Sequence, residues 1–249
     1  MENIFLRKRW DNLSKQIILK HGDSERLRAS LLIAWETIFS KYTEPHRFYH
    51  TLDHLQAMFV QANAYPFSKY TTSDDGFNSI AVELAIFFHD IVYETDDSSS
   101  ENEQRSAILF RELLQDHLPL SLVESVGEFI LATKSHRSLS PRKDLNYFLD
   151  LDLSILGASR EEYRRFAMQI RREYERYPAE TFCRERARFM RAMLLSLEGR
   201  EDGPQVEGQR RGLYHIPEIR RDKEEAARRN IMWECAVLET GTLISEDMS

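Results

Sequence analysis

Apolar positions recur every three to four residues along most of this chain. Trp10, Leu13, Ile17 and Ile18 share one helical face. Leu27, Leu31, Ala34, Trp35, Ile38 and Phe39 share another, behind Asp23 or Ser24 as a helix cap. A polar stretch from Lys41 to Arg47 carries Pro45 and interrupts the pattern. A helix is expected to start near Thr51 and to run to about Ala64. Pro66 to Asn78, with Gly76, reads as a loop. Ala81 to Phe88 is almost unbroken apolar sequence, the mark of a helix buried on all sides. Thr95 to Ser100 is polar and expected to be exposed. Ser100, with Glu103 three residues on, has capping-box spacing ahead of the face formed by Ala107, Leu109, Phe110, Leu113 and Leu114.

The second half continues in the same way. A helix is expected from Leu120 to Lys134, closing at Thr133-Lys134-Ser135-His136, with Pro141 in a loop. A short helix should hold Phe148 to Leu156 and stop at Gly157. Longer ones should run from Arg160 to Tyr177 and from Ala179 to Leu197. The charged stretch from Gly199 to Gly212 reads as a flexible insertion. Asp222-Lys223-Glu224-Glu225 has capping-box spacing for a last helix that ends near Leu238. Strand-like alternation is scarce, and Gly and Pro number only 9 and 7, too few for a turn-rich β protein. The expectation is one all-α domain over residues 1–249, a bundle of about ten helices without internal repeats.

Composition narrows the function. With 249 residues, 42% of them hydrophobic, the chain can bury a sizeable core. Lys and Arg total 34 against 41 Asp and Glu, a net charge of -7, which argues against general nucleic-acid binding. The two cysteines, Cys183 and Cys235, form no disulfide framework, so a reducing cytoplasm is the expected setting. No apolar run is long enough to cross a bilayer, and the first ten residues lack a signal-peptide core, so no membrane association is expected.

The chemistry concentrates at His89-Asp90, which closes the apolar run. Burying both is costly unless something pairs them, and a divalent cation satisfies imidazole and carboxylate together. Tyr49-His50-Thr51-Leu52-Asp53-His54 supplies further imidazoles upstream. Leu149-Asp150-Leu151-Asp152-Leu153 supplies carboxylates in an apolar frame downstream. The expected metal cage is His54, His89, Asp90 and Asp152. Such ligands suit Mn, Fe, Ni and Zn, and Mg less well, in an open water-bearing site rather than a sulfur-rich structural one. Neighbours on a helix diverge by about 100°, so His89 and Asp90 reach one place if the helix end frames it, or if Asp90 bridges two ions.

Other residues have secondary claims. Asp90 and His136 are the catalytic candidates, with His136 a proton donor near neutral pH; a helix C-terminal role for His136 and Lys134 competes. His50, Lys134 and Arg47 are candidates for substrate contact, although a loop arginine is more often solvated. Glu94, Glu101 and Glu103 could orient water, or could answer a helix N-terminus. Asp150 reads as a cap or ion-pair partner, and Arg228, Arg229 and Glu234 as a structural ion-pair network. His21, His46, His117 and His215 read as surface or packing residues.

His54, then His89-Asp90, then Asp152 stand in the order H, HD, D. In this the chain resembles the HD superfamily of metal-dependent phosphohydrolases, and more closely a bacterial branch of single-domain HD proteins. That likeness is carried by the segment from Arg47 to His54, by Phe88-His89-Asp90-Ile91-Val92-Tyr93, and by Glu101-Asn102-Glu103 with Ser106-Ala107. It extends to Ala132-Thr133-Lys134-Ser135-His136, to Leu149 through Gly157, and to Ala227-Arg228-Arg229-Asn230. Many HD phosphohydrolases carry Gly-Lys soon after the HD pair, where this chain has Ile91-Val92-Tyr93-Glu94. The stretch from Gly199 to Gly212 is an insertion relative to the branch. The resemblance implies an HD-domain-like helical bundle with one or two divalent ions (Mn, Mg, Ni, Fe or Zn). It implies hydrolysis, by metal-activated water, of a phosphoester in a small phosphorylated molecule such as a nucleotide. Two other classes compete: a di-iron oxygenase of HD-like fold, for which His50 and His136 would be the extra imidazoles, and a non-catalytic nucleotide-sensing module.

Overall fold

Ten α-helices form among the described residues: α1 Ile4–His21, α2 Glu25–Tyr42, α3 Leu52–Ala64, α4 Ser79–Phe88, α5 Asn102–Leu114, α6 Leu120–Ala132, α7 Lys143–Asp152, α8 Arg160–Glu173, α9 Ala179–Glu198 and α10 Pro217–Glu239. The structure, a computed structural model, describes residues 3–69, 76–136, 141–198 and 212–245, and contains no strand among them. The all-α bundle read from the periodicity is the fold observed. No helix among these residues is long and apolar enough to cross a membrane. The backbone divides into two compact units, Met1–Leu149 and Asp150–Ser249.

In the first unit α4 is the central element. Asn78 caps it, its side chain accepting from the Ala81 N–H at 3.2 Å. Ile80, Ala81, Val82, Leu84, Ala85, Ile86, Phe87 and Phe88 are all buried. Each large apolar side chain so buried contributes roughly 1.5–3 kcal/mol, so this helix anchors its surroundings. Trp10 of α1 meets the Phe87 ring edge-on at 5.1 Å, and Phe59 of α3 lies 5.0 Å from the same ring. Phe110 of α5 meets Phe88 at 5.1 Å. Of the two caps offered for α2, Ser24 is the one used, accepting from the Leu27 N–H; α3 starts where expected, and Thr51 caps it by accepting from the Asp53 N–H.

Ser100 does not cap α5. A 3₁₀ turn over Asp97–Glu101 leads into the helix, and Glu101 holds the capping position without a side-chain bond. The polar work falls to Asn102 instead. Its carboxamide accepts from the Glu94 N–H at 3.1 Å and donates to the Glu94 carbonyl at 2.8 Å. Ser106, one turn on, bonds both the N–H and the carbonyl of Val92, at 3.1 and 3.3 Å. The start of α5 therefore fixes the extended backbone that follows His89-Asp90.

α7 begins at Lys143, five residues before the expected helix at Phe148, and after Asp152 it tightens into a 3₁₀ turn over Leu153–Gly157. Leu145, Tyr147, Phe148, Leu149 and Leu151 are all buried, and so are the polar Asp144 and Asn146, so no alternation of apolar and exposed polar faces marks its start.

In the second unit α10 packs against α8, α9 and the 3₁₀ turn. Tyr214 donates from its hydroxyl to the Leu153 carbonyl at 3.0 Å, and Asn230 donates to the carbonyls of Leu156 and Ala158 at 2.8 and 3.0 Å. A methyl group on Gly157 would come within 2.6 Å of the Lys223 Cβ and 2.8 Å of the Lys223 carbonyl oxygen. A glycine here lets the turn reach α10. α8 opens with a capping box, Ser159 and Glu162. It ends at Glu173 rather than Tyr177, because Arg171 reaches past it to the carbonyls of Tyr174 and Tyr177, at 2.6 and 3.0 Å.

α10 starts at Pro217, five residues ahead of the predicted box at Asp222. Proline is well suited to the first turn, having no N–H to leave unbonded. Asp222 is thus inside the helix, paired with Arg221 at the surface. Glu234 takes part in an ion pair, with Arg186 of α9 at 2.9 Å and with the Tyr163 hydroxyl donating to its other oxygen. Arg228 and Arg229 pair instead with Glu224 and Glu225 along α10 itself. The expected insertion over 199–212 lies outside the described residues apart from Gly212.

Candidate metal centre

The C-terminal end of α4 brings the predicted ligands together. His89 holds the C-cap position with helical dihedrals, φ −61° and ψ −40°, and its N–H still bonds the Ala85 carbonyl at 2.9 Å. The chain then turns, so Asp90 leaves the helix axis and swings back beside His89. The His89 ring is 1% exposed, and its Nδ1 lies 3.0 Å from the Ile86 carbonyl oxygen. A carbonyl only accepts, so Nδ1 carries the proton and Nε2 presents a lone pair. That Nε2 lies 3.1 Å from Nε2 of His54 and 3.1 Å from Oδ2 of Asp90. His54, buried in the first turn of α3, has its Nε2 4.0 Å from the same Asp90 oxygen.

His54, His89 and Asp90 present atoms that could hold a divalent cation. Two ligands about 2.1 Å from one ion and at right angles to each other lie about 3.0 Å apart. The two 3.1 Å separations at His89 match that spacing. Asp152, the fourth predicted ligand, is half-buried at the last position of α7 and belongs to the second unit.

Aromatic rings frame these groups. Phe148 stands edge-on to His89 at 5.8 Å, and Tyr49 lies 4.9 Å from the His54 ring. His50 stacks on Tyr93 at 4.0 Å and has its Nε2 3.8 Å from Asp90 Oδ2. Apolar walls of this kind strengthen charge interactions by excluding water.

Of the other predicted site residues, His50 joins the group and Arg47 is bonded to the backbone beside it. The Arg47 side chain is wholly buried, with its guanidinium bonded to the backbone carbonyls of His50, Asp90 and Ile91. The planar fork is thus engaged with the backbone of two turns. Lys134, exposed, donates to the Ser100 carbonyl at 2.5 Å. His136 follows the end of α6, which closes at Ala132 rather than Lys134. It adopts φ 49°, the left-handed conformation common just past a helix end, and donates its N–H to the Ala132 carbonyl at 3.0 Å.

Asp150, two residues before Asp152, is fully buried and acts as the cap foreseen for it. Its carboxylate accepts from the backbone N–H of His215 and of Ile216 at 2.8 and 2.6 Å, and pairs with His215 Nδ1 at 2.8 Å. Burial pushes its carboxyl above the ordinary range, and the His215 imidazole and the two N–H donors oppose that rise. Sequence reasoning passed over His215. Its signal was a histidine held between Tyr214 and Ile216-Pro217, just where the charged stretch ends. Asp150→Ala should leave these donors without their buried acceptor, at a cost of about 2–3 kcal/mol. That lowers the melting temperature by roughly 7 °C, measurable by thermal denaturation; an unchanged melting temperature would show that water replaces the carboxylate.

Comparison with models of protein families, with curated proteins and with solved structures gave no match.

Proposed function

We propose that this chain is a divalent-metal-dependent phosphohydrolase acting on a phosphoester of a small molecule such as a nucleotide. The observation that carries the reading is the convergence of His54, His89 and Asp90 at the buried end of α4, with two contacts of 3.1 Å at His89 Nε2. Phosphoester chemistry is supported by the H, HD, D order that this chain shares with the HD superfamily. His54, His89 and Asp90 would hold the ion, and the H, HD, D order adds Asp152 as the further carboxylate. When bound, a divalent ion supplies positive charge for a phosphoryl oxygen and acidifies a water. The Nδ1–H bond to Ile86 keeps the His89 lone pair aimed into the site. His50, stacked on Tyr93 and beside Asp90, would donate a hydrogen bond to a phosphoryl oxygen. Tyr49 and Phe148 shield the imidazoles from bulk water.

The test is metal-free protein reconstituted in turn with Mn, Mg, Ni, Fe and Zn, and assayed on phosphomonoesters, phosphodiesters and nucleotides. Turnover that needs the ion is expected; none with any ion overturns the proposal. A second reading, a di-iron oxygenase, draws on the additional imidazole of His50 beside Asp90. Tightly held iron with oxygen uptake and no phosphate release would select it, and retained nucleotide without turnover would indicate a sensing module.

A further inference from the structure

We propose that Arg47 is a positioning residue that sets the spacing of the metal-binding side chains, an inference that rests on the metal reading above. His54 and Asp90 lie on different segments, and their distance depends on how the turn before α3 meets the turn after α4. Arg47 joins these turns. Its Nη1 donates to the carbonyls of His50 and Asp90 at 3.2 and 2.7 Å, and its Nη2 donates to that of Ile91 at 2.9 Å. Its Nε donates to Glu44 at 3.3 Å. The guanidinium lies 5.0 Å from the Tyr42 ring centre and 5.6 Å from that of Tyr93.

The same segment reaches the second turn at other points. The Tyr42 hydroxyl accepts from the Asp90 N–H at 3.2 Å, and a His46 ring nitrogen bonds the Tyr93 carbonyl at 2.9 Å. Asp90 is thereby held on both sides of its Cα, at its N–H by Tyr42 and at its carbonyl by Arg47. On the other turn, His50 is gripped at its carbonyl, and His54 follows one residue turn later through its N–H bond to the Thr51 carbonyl at 3.1 Å. The planar fork is suited to this work, since it fixes several acceptors in one geometry; an ammonium is a point charge and does not. Packing of α3 on α4 does not depend on the clamp, because Phe59 meets Phe87 at 5.0 Å in the apolar core. What the clamp adds is the register of two polar turns, which matters to a site whose ligands must meet within tenths of an ångström.

The experiment is a Co(II) titration of the full-length metal-free protein, read by visible ligand-field absorption, for wild type, Arg47→Lys and Tyr42→Phe. Far-UV circular dichroism of each variant reports the fold. Arg47→Lys should weaken Co(II) binding by roughly 10–100-fold, the usual effect of losing a partner that orients ligands. It should also shift the ligand-field band while the helical spectrum is retained. Tyr42→Phe, which removes a single bond to Asp90, should act in the same direction and less strongly, and it decides the matter if Arg47→Lys does not fold. Wild-type affinity and an unshifted band in the folded variants overturn the role of Arg47 and leave the metal reading standing. Failure of the wild type to take up Co(II) overturns both.

Discussion

Asp90→Ala is expected to release the bound ion and to abolish hydrolysis while the protein stays folded. Asp90 Oδ2 is 3.1 Å from His89 Nε2 and 4.0 Å from His54 Nε2, so its loss removes the carboxylate that faces both imidazoles. Loss of a group that merely orients a ligand weakens metal binding roughly 10–100-fold, and loss of a ligand should do more. The backbone of residue 90 is held through its own N–H and carbonyl, which the substitution leaves in place. Its melting temperature should therefore move little. His89→Ala should be as damaging to activity and harder on the fold, since it strands the Ile86 carbonyl in the core at a cost of about 1–3 kcal/mol. Metal content by elemental analysis, turnover and circular dichroism together provide the check. Stoichiometric metal and full activity in Asp90→Ala would remove the residue from the site.

Glu234→Ala should give the largest loss of stability. Glu234 is 1% exposed and receives both the Arg186 guanidinium and the Tyr163 hydroxyl. Burial opposes the charge on Arg186, but the facing Glu234, helped by Tyr163, outweighs it and holds the guanidinium well above its usual pKa. Burial and the neighbouring Glu234 carboxylate push the Tyr163 hydroxyl well above its ordinary value, so it stays protonated and able to donate. Removing the carboxylate leaves a buried cation and a buried donor without their partner, which costs about 3–5 kcal/mol. For a chain of this length that lowers the melting temperature by roughly 12 °C. Replacing both partners, as in Glu234→Leu with Arg186→Met, should recover much of the loss, because apolar packing often equals a buried pair. Melting curves of the single and double variants decide it; a single variant that melts with the wild type would mean that solvent reaches Arg186.

The part of the fold legible in the sequence is the part where one physical signal dominates. α4 could be read because a helix that is apolar all round is stable only when buried on every side. The His89-Asp90 pair stood out as polar groups at the end of it. The starts of α2 and α3 fell where expected, at Ser24 and Thr51. Errors arose where two signals competed. Asp222-Lys223-Glu224-Glu225 copies a helix start, but charged residues of that kind also suit the exposed face of a helix already under way. The true start, Pro217, takes part of its support from Asp150, far away in sequence. Ser100 and Glu103 had the right spacing, yet the bonds that fix this region come from Asn102 and Ser106 to residues 92–94. The division at Leu149 left no trace, because it falls inside α7, where no glycine, proline or polar linker marks it. In the candidate site, His54, His89 and Asp90 stood out by residue type and by the apolar sequence around them. The role of Arg47 could not, because it depends on three carbonyl groups, and backbone atoms leave no mark on sequence.

Gly157 carries a consequence for how this chain can change over time. Every single-step replacement of glycine adds at least one carbon, and here that carbon would land on Lys223. Drift at position 157 is thus closed unless the path of α10 shifts first. Two stretches separated by more than sixty positions are bound to vary as a pair, and a library of random variants should return glycine there while the neighbouring exposed positions diversify.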